Sequence, residues 1–120
     1  MDTPDLTLIE KQHLFCQLAA NLILEAIALG YQPRFGEAYR TPEQAELDAQ
    51  KGTGIKNSEH CKRLALDLIL DKDGVWLTNS NDYKPLGEWW KQQHPLCRWG
   101  GDFQSNPDGN HFSLFDQGVA

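Results

Sequence analysis

The sequence reads as one mixed domain of helices and strands, and three observations lead there. Apolar residues recur at helical spacing between Thr7 and Gly30. Leu64 to Leu70 is apolar throughout except for Asp67, the pattern of a strand buried on both faces. Near the other end, His111-Phe112-Ser113-Leu114-Phe115 alternates as a second strand. A chain of 120 residues can bury one core and not two, so residues 1–120 are read as a single domain.

The elements follow in order. Leu8, Leu14, Phe15, Leu18, Leu22, Ala26 and Leu29 form the apolar stripe of the first helix. Thr7 can cap it, with Glu10 three residues on completing a capping box, and Gly30 is placed to end it. His13 reads as a surface residue of this helix. Tyr31 to Arg40 is rich in aromatics and poor in helix formers, so it reads as extended. Thr41 and Pro42 then start a second helix, at the N-cap and the first helical position. Lys51 to Asn57 is a glycine-containing loop without a phosphate-binding pattern, expected to cover one rim of a site. Asp71-Lys72-Asp73-Gly74 makes a turn, and Val75-Trp76-Leu77 returns as a hairpin partner. Tyr83 to Gln93 is a third helix that buries Leu86, Trp89 and Trp90; His94 at its end meets the helix dipole and is not counted as a ligand. Leu96 to Phe103 reads as a strand entering a glycine bend at Gly100-Gly101.

Composition excludes several functions. Seventeen acidic and 11 basic side chains give a net charge of -6, and no basic stripe stands out, so nucleic acid is not an expected partner. The longest apolar stretch, near Leu18 to Leu29, is interrupted by Asn21 and Glu25, which argues against membrane insertion. The acidic start, Met1-Asp2-Thr3-Pro4-Asp5, is unlike a signal peptide; the expectation is a cytoplasmic protein as synthesised. Cys16, Cys61 and Cys97 lack metal-type spacing and are read as reduced thiols, two of them in the core.

Chemistry concentrates in two stretches, Ser58-Glu59-His60 running on to Ala65-Leu66-Asp67-Leu68, and Asp108-Gly109-Asn110-His111. A carboxylate inside an apolar strand is costly unless it is paired or binds a metal. Two imidazoles and one carboxylate, His60, Asp67 and His111, are a ligand set for a catalytic metal with an open position. Asp108 is close enough in sequence to serve the same site as a base, or is simply a turn former. Asp102, beside the double glycine, is the rival base, or it orients a ligand histidine. Arg40 lies where an extended segment meets a helix N-terminus. It can serve an anionic group in a cleft, or pair on the surface with Glu43 or Glu37. The residues point to a mononuclear, hydrolytic metal site and do not name its substrate. An iron-dependent oxygenase shares the two-histidine, one-carboxylate set, but usually with its first two ligands one residue apart, whereas His60 and Asp67 are separated by seven positions.

Ser58-x-His60 with Ala65-x-Asp67-Leu68, Trp99-Gly100-Gly101-Asp102-Phe103 and Asp108-x-x-His111-Phe112 closely resemble the zinc peptidases of bacterial cell walls. This is the D-Ala-D-Ala carboxypeptidase and dipeptidase family that shares the hedgehog fold. The branch it looks most like is that of small phage endolysins acting as L-alanyl-D-glutamate peptidases. The resemblance spans about Tyr39 to Phe115. It implies an α+β fold with a central antiparallel sheet, helices packed on it and a zinc site on one face. It further implies His60, Asp67 and His111 as Zn2+ ligands, Asp108 as the base, and Arg40 in Tyr39-Arg40-Thr41-x-x-x-Gln44 as the oxyanion group. Ser58, Gln44 and Trp99 would be substrate contacts. Two positions depart from the family pattern: Arg63 stands where glycine is common, and Cys61 follows the first ligand. The expected substrate is a peptidoglycan stem peptide, cut at the L-Ala–D-Glu bond by a monomer that reaches the wall after release. The alternatives are a D-Ala-D-Ala carboxypeptidase, or a non-catalytic wall-recognition module on the same fold.

Overall fold

The computed structural model describes residues 5–52 and 58–120. Helix α1, Leu8–Ala28, opens with the expected capping box: Thr7 Oγ1 accepts from the Glu10 amide, and Glu10 Oε1 accepts from the Thr7 amide. Strand β1, Gln32–Phe35, is shorter than the extended segment expected over Tyr31–Arg40. Helix α2, Pro42–Gln50, is capped by Thr41 Oγ1, which accepts from the Gln44 amide at 3.1 Å. A short 3₁₀ helix, Glu59–Lys62, leads into strand β2, Ala65–Lys72, which takes in Asp71 and Lys72 of the expected turn; Asp73-Gly74 alone make the turn to strand β3, Val75–Trp76. Helix α3, Lys84–Lys91, strand β4, Cys97–Trp99, and strand β5, His111–Leu114, complete the chain.

The five strands form an antiparallel sheet in the order β1-β2-β5-β4, with β3 paired to the end of β2. This is the expected α+β class. The core lies between one face of the sheet and helices α1 and α3. Leu66, Leu68 and Leu70 of β2 and Phe112 and Leu114 of β5 meet Phe15, Leu22 and Ala26 of α1 and Leu86 and Trp90 of α3. Trp90 is fully buried and packs edge-on against both Phe15 and Phe112, with ring centroids 6.0 Å apart in each pair. Such edge-to-face packing adds about 0.5–1.5 kcal/mol per pair beyond the area buried.

Burial corrects three expectations. Strand β2 is not buried on both faces: Leu66, Leu68 and Leu70 are buried, whereas Asp67 and Ile69 on the other face are only partly covered. Strand β5 does not alternate in burial; all four of its residues are buried. It lies between β2 and β4, and His111 on its outer face is covered by Phe103 and His60, with ring centroids 5.4 and 5.1 Å away. Among the cysteines only Cys97 is a core residue; Cys61 is half-buried and Cys16 exposed. None of the three is bonded to another cysteine.

Candidate active site

Sheet register places two of the candidate ligands. Asp67 and His111 are directly paired across β2 and β5, and the next pair, Leu66 and Phe112, points into the core. Cross-strand partners share a face and neighbours along a strand alternate, so Asp67 and His111 emerge together on the face away from the core. His60 comes from the 3₁₀ helix, whose start is fixed by Ser58 Oγ accepting from the His60 amide at 3.2 Å. The segment after β1 runs alongside: the Gly36 amide donates to Asp67 O, the Asp67 amide to Glu37 O, and the Arg40 amide to His60 O. These backbone bonds bring His60 and Arg40 to the same end of the sheet.

His60 Nδ1 lies 2.8 Å from Ala38 O. With Nδ1–H donating there, Nε2 keeps its lone pair and points at Asp67, 3.2 Å from Oδ1. His111 Nδ1 is 3.5 Å from the same oxygen. One ligand atom from each of the three residues falls within 4.8 Å of the others. Asp67 Oδ1 is buried, yet neither close contact has hydrogen-bond geometry. Burial by itself would raise the Asp67 pKa, but the adjoining His111 and His60 outweigh it and hold the carboxyl at about 2. Two imidazoles and an ionised carboxylate converging with unspent lone pairs fit a divalent metal of the zinc type. Gly100 lets the Asp108–His111 turn pack here, since a Cβ on it would stand 2.1 Å from Asp108 O and 2.7 Å from His111 Cβ.

Around these residues is a cleft of about 500 Å³, walled by Arg40, Gly52, Ser58, Phe103, Ser105, Asn106 and Asp108. Asp108 is exposed at the lip. Desolvation by the cleft walls, together with the negative charge of Asp67, pushes its carboxyl above the usual range. Arg40 walls the cleft and is paired with Glu37, to which its Nε donates at 2.7 Å. Asp48 is a second acidic neighbour of Arg40, at 3.9 Å. Ser58 is buried beside the ligands, as a cap as well as a wall of the cleft.

Three expected site residues stand elsewhere. Gln44 is exposed on α2 and its amide donates to Asp48 Oδ1 at 2.8 Å, so it does not wall the cleft. Trp99 is a packing residue, only 4% exposed, with Nε1 donating to Gly109 O at 2.7 Å; Gly87 and Gly101 lie so close to its ring that neither position has room for a Cβ. Asp102 is not a rival base: it points outward and pairs with Lys91 at 2.8 Å. The family motif around Trp99 therefore builds the support beneath the Asp108–His111 turn. His94 accepts from the Leu96 amide and takes no part in the ligand cluster. Of the loop expected at the rim, Gly52 walls the cleft, and 53–57 lies outside the described residues.

Other residues were not anticipated. Phe103 is packed on His111, a place its position after the double glycine could have suggested. Ser105 and Asn106 come from a polar loop with no distinguishing pattern. Behind His60, Glu59 is fully buried with Lys62 3.4 Å away, and Lys62 and Lys11 both pair with Asp116, at 2.9 and 2.6 Å. This cluster ties the helix carrying His60 to α1 and to the end of the sheet. Burial raises the Glu59 pKa to about 7. No sequence signal marks it, because its members are up to 105 positions apart.

Comparison with known proteins agrees with this arrangement. The family model for D-alanyl-D-alanine carboxypeptidase matches residues 51–114, which hold all three candidate ligands and Asp108. No curated protein matches the chain. Among solved structures, the L-Ala D-Glu endopeptidase ChiX of Serratia marcescens is similar at a TM-score of 0.68 and 20% identity, over 83% of this chain and 79% of that one. The vancomycin resistance D,D-pentapeptidase VanY from a VanB-type resistance cassette, a mutant in complex with Zn(II), is similar at a TM-score of 0.54 and 20% identity, over 83% and 70%. The matched residues, the shared fold and the His-Asp-His cluster make this chain a member of the D-alanyl-D-alanine carboxypeptidase family, a zinc metallopeptidase that acts on peptidoglycan.

Proposed function

We propose that this chain is an endopeptidase that hydrolyses the L-Ala–D-Glu bond of peptidoglycan stem peptides. One observation supports the choice of bond: the likeness, over 83% of this chain and 79% of that one, to an L-Ala D-Glu endopeptidase. Cations near the cleft do not decide it, because both candidate bonds are followed by a residue with a free α-carboxylate, D-Glu being joined onward through its side chain. Arg40, the cation among the described residues that wall the cleft, is held by Glu37.

His60, Asp67 and His111 would hold the zinc. When bound, zinc supplies a Lewis acid that polarises the peptide carbonyl and lowers the pKa of water. Asp108, at the lip of the cleft, takes a proton from the attacking water. It returns that proton to the amine as the C–N bond breaks. Its raised pKa suits it for both transfers. Arg40 faces the charge that develops on the carbonyl oxygen, and Glu37 holds the guanidinium in place. The Ala38 carbonyl fixes the His60 ring.

Mass spectrometry of purified cell wall after digestion tests the assignment. The expected products are stem peptides with a new D-Glu N-terminus. Release of D-alanine alone would overturn it and make the chain a carboxypeptidase of the same family.

A further inference from the structure

A second cavity, of about 190 Å³, opens on the other side of the Asp108 turn. It is walled by Trp76, Thr78, Ser80, Pro107, Asp108 and Asn110. Asp108 belongs to the walls of both this cavity and the metal cleft, so the two spaces adjoin. We propose that this cavity is a subsite for one amino sugar of the glycan strand, the muramyl residue to which the stem peptide is attached. The proposal rests on the L-Ala–D-Glu assignment above for its geometry.

Three features point to a sugar. Trp76 is 60% exposed, an unusual exposure for an indole on a short strand. The Arg34 guanidinium, held by Asp71 through bonds of 2.6 and 3.0 Å, lies 5.7 Å from its ring and steadies it. A fixed, exposed indole presents an electron-rich face, which attracts the positively polarised C–H face of a pyranose ring. The rest of the wall carries hydroxyls and an amide, on Thr78, Ser80 and Asn110. An apolar platform with a few convergent polar groups is the usual make-up of a small-ligand site. The volume suits one sugar residue rather than a length of strand.

Distance separates this from a site for distal peptide. In cleavage at L-Ala–D-Glu, only L-Ala and the lactyl group lie between the scissile bond and the sugar. Two such units span about 7 Å, so the sugar falls next to the metal cleft, where the cavity is. In cleavage at D-Ala–D-Ala, nearly the whole stem peptide would intervene.

The test compares two substrates on the zinc-loaded protein: an N-acetylmuramyl stem peptide, and the same peptide acylated with lactate but lacking the sugar. The wild type should favour the muramyl substrate roughly tenfold in kcat/KM, chiefly through KM. In Trp76→Ala that ratio should fall to about one, and Trp76→Phe, which keeps an aromatic platform, should restore most of it. No preference in the wild type, or equal loss on both substrates in Trp76→Ala, would overturn the subsite. Product masses from the same reactions report the bond cut. Titrating the protein with N-acetylmuramic acid, which carries no stem-peptide bond to cut, and following the heat of binding reads sugar binding without turnover. A saturable change present in the wild type and absent in Trp76→Ala supports the subsite even if the bond is another one. Absence of that change in the wild type overturns it even if L-Ala–D-Glu is cut.

Discussion

Glu59 gives a prediction whose size can be worked from the structure. Its side chain is fully buried, one position before the candidate ligand His60, with Lys62 3.4 Å away. Burial lifts its pKa from 4.5 to about 7. In the folded protein the proton therefore stays on over a range where the unfolded chain has lost it. The folded state binds more protons than the unfolded state between these values, so stability falls as pH rises. The contribution is fully present below pH 4.5 and lost as pH passes through about 7. A span of about 2.5 pH units at about 1.4 kcal/mol each amounts to roughly 3 kcal/mol. Glu59→Gln keeps the shape and cannot ionise. Urea unfolding of the zinc-loaded wild type and variant, at pH 5 and pH 8, gives the double difference. The wild type should lose about 2.5 kcal/mol more than Glu59→Gln between the two pH values, since part of the span lies below pH 5. Comparing the pair cancels other titrating groups, including Asp67, whose low pKa places its own loss of stability below pH 4. Parallel stability profiles for the two proteins would refute the reasoning and mean that Lys62 keeps Glu59 ionised in the fold.

Three further predictions concern the reaction. His60→Ala should bind far less zinc and lose activity, whereas the wild type should hold one ion per chain by elemental analysis; full occupancy in the variant would remove His60 from the ligand set. Asp108→Asn should keep zinc and fold but turn over roughly 10²-fold or more slowly, the usual scale for losing a general acid–base group, and near-normal turnover would end its role. Arg40→Ala should lower kcat by about 10²-fold with little change in KM, because an oxyanion group acts mainly on the transition state. Arg40→Lys should recover part of that loss, keeping charge without the planar fork. A change in KM alone would instead make Arg40 a binder of a substrate carboxylate.

What the sequence determined by itself is what depends on neighbours along the chain. The Thr7–Glu10 capping box, the Thr41-Pro42 helix start, the hairpin turn at Asp73-Gly74 and the end of α1 near Gly30 were legible, because capping and turn chemistry act over three or four residues. The candidate ligand trio stood out for a different reason. A carboxylate in an apolar strand is an anomaly in any fold, and paired with two motif histidines it suggested a metal before any contact was known. The family motifs then supplied the fold.

The tertiary structure decided whatever depends on which face of an element is turned where. Gln44, Trp99 and Asp102 lie in or near family motifs, yet Gln44 bonds to Asp48, Trp99 supports the Asp108 turn from below, and Asp102 pairs with Lys91. Motif membership marks a residue as needed; only packing shows whether it touches the substrate or the wall behind it. Strand β2 illustrates the limit most directly. Its apolar run suggested burial on both faces, but its pairing with β5 turns Leu66 to the core and Asp67 to the cleft. The Glu59–Lys62–Asp116–Lys11 cluster and the Trp76 cavity are likewise made by residues distant in the chain. Their meeting is set by sheet register and helix docking, which sum over the whole core and leave no local signature in the sequence.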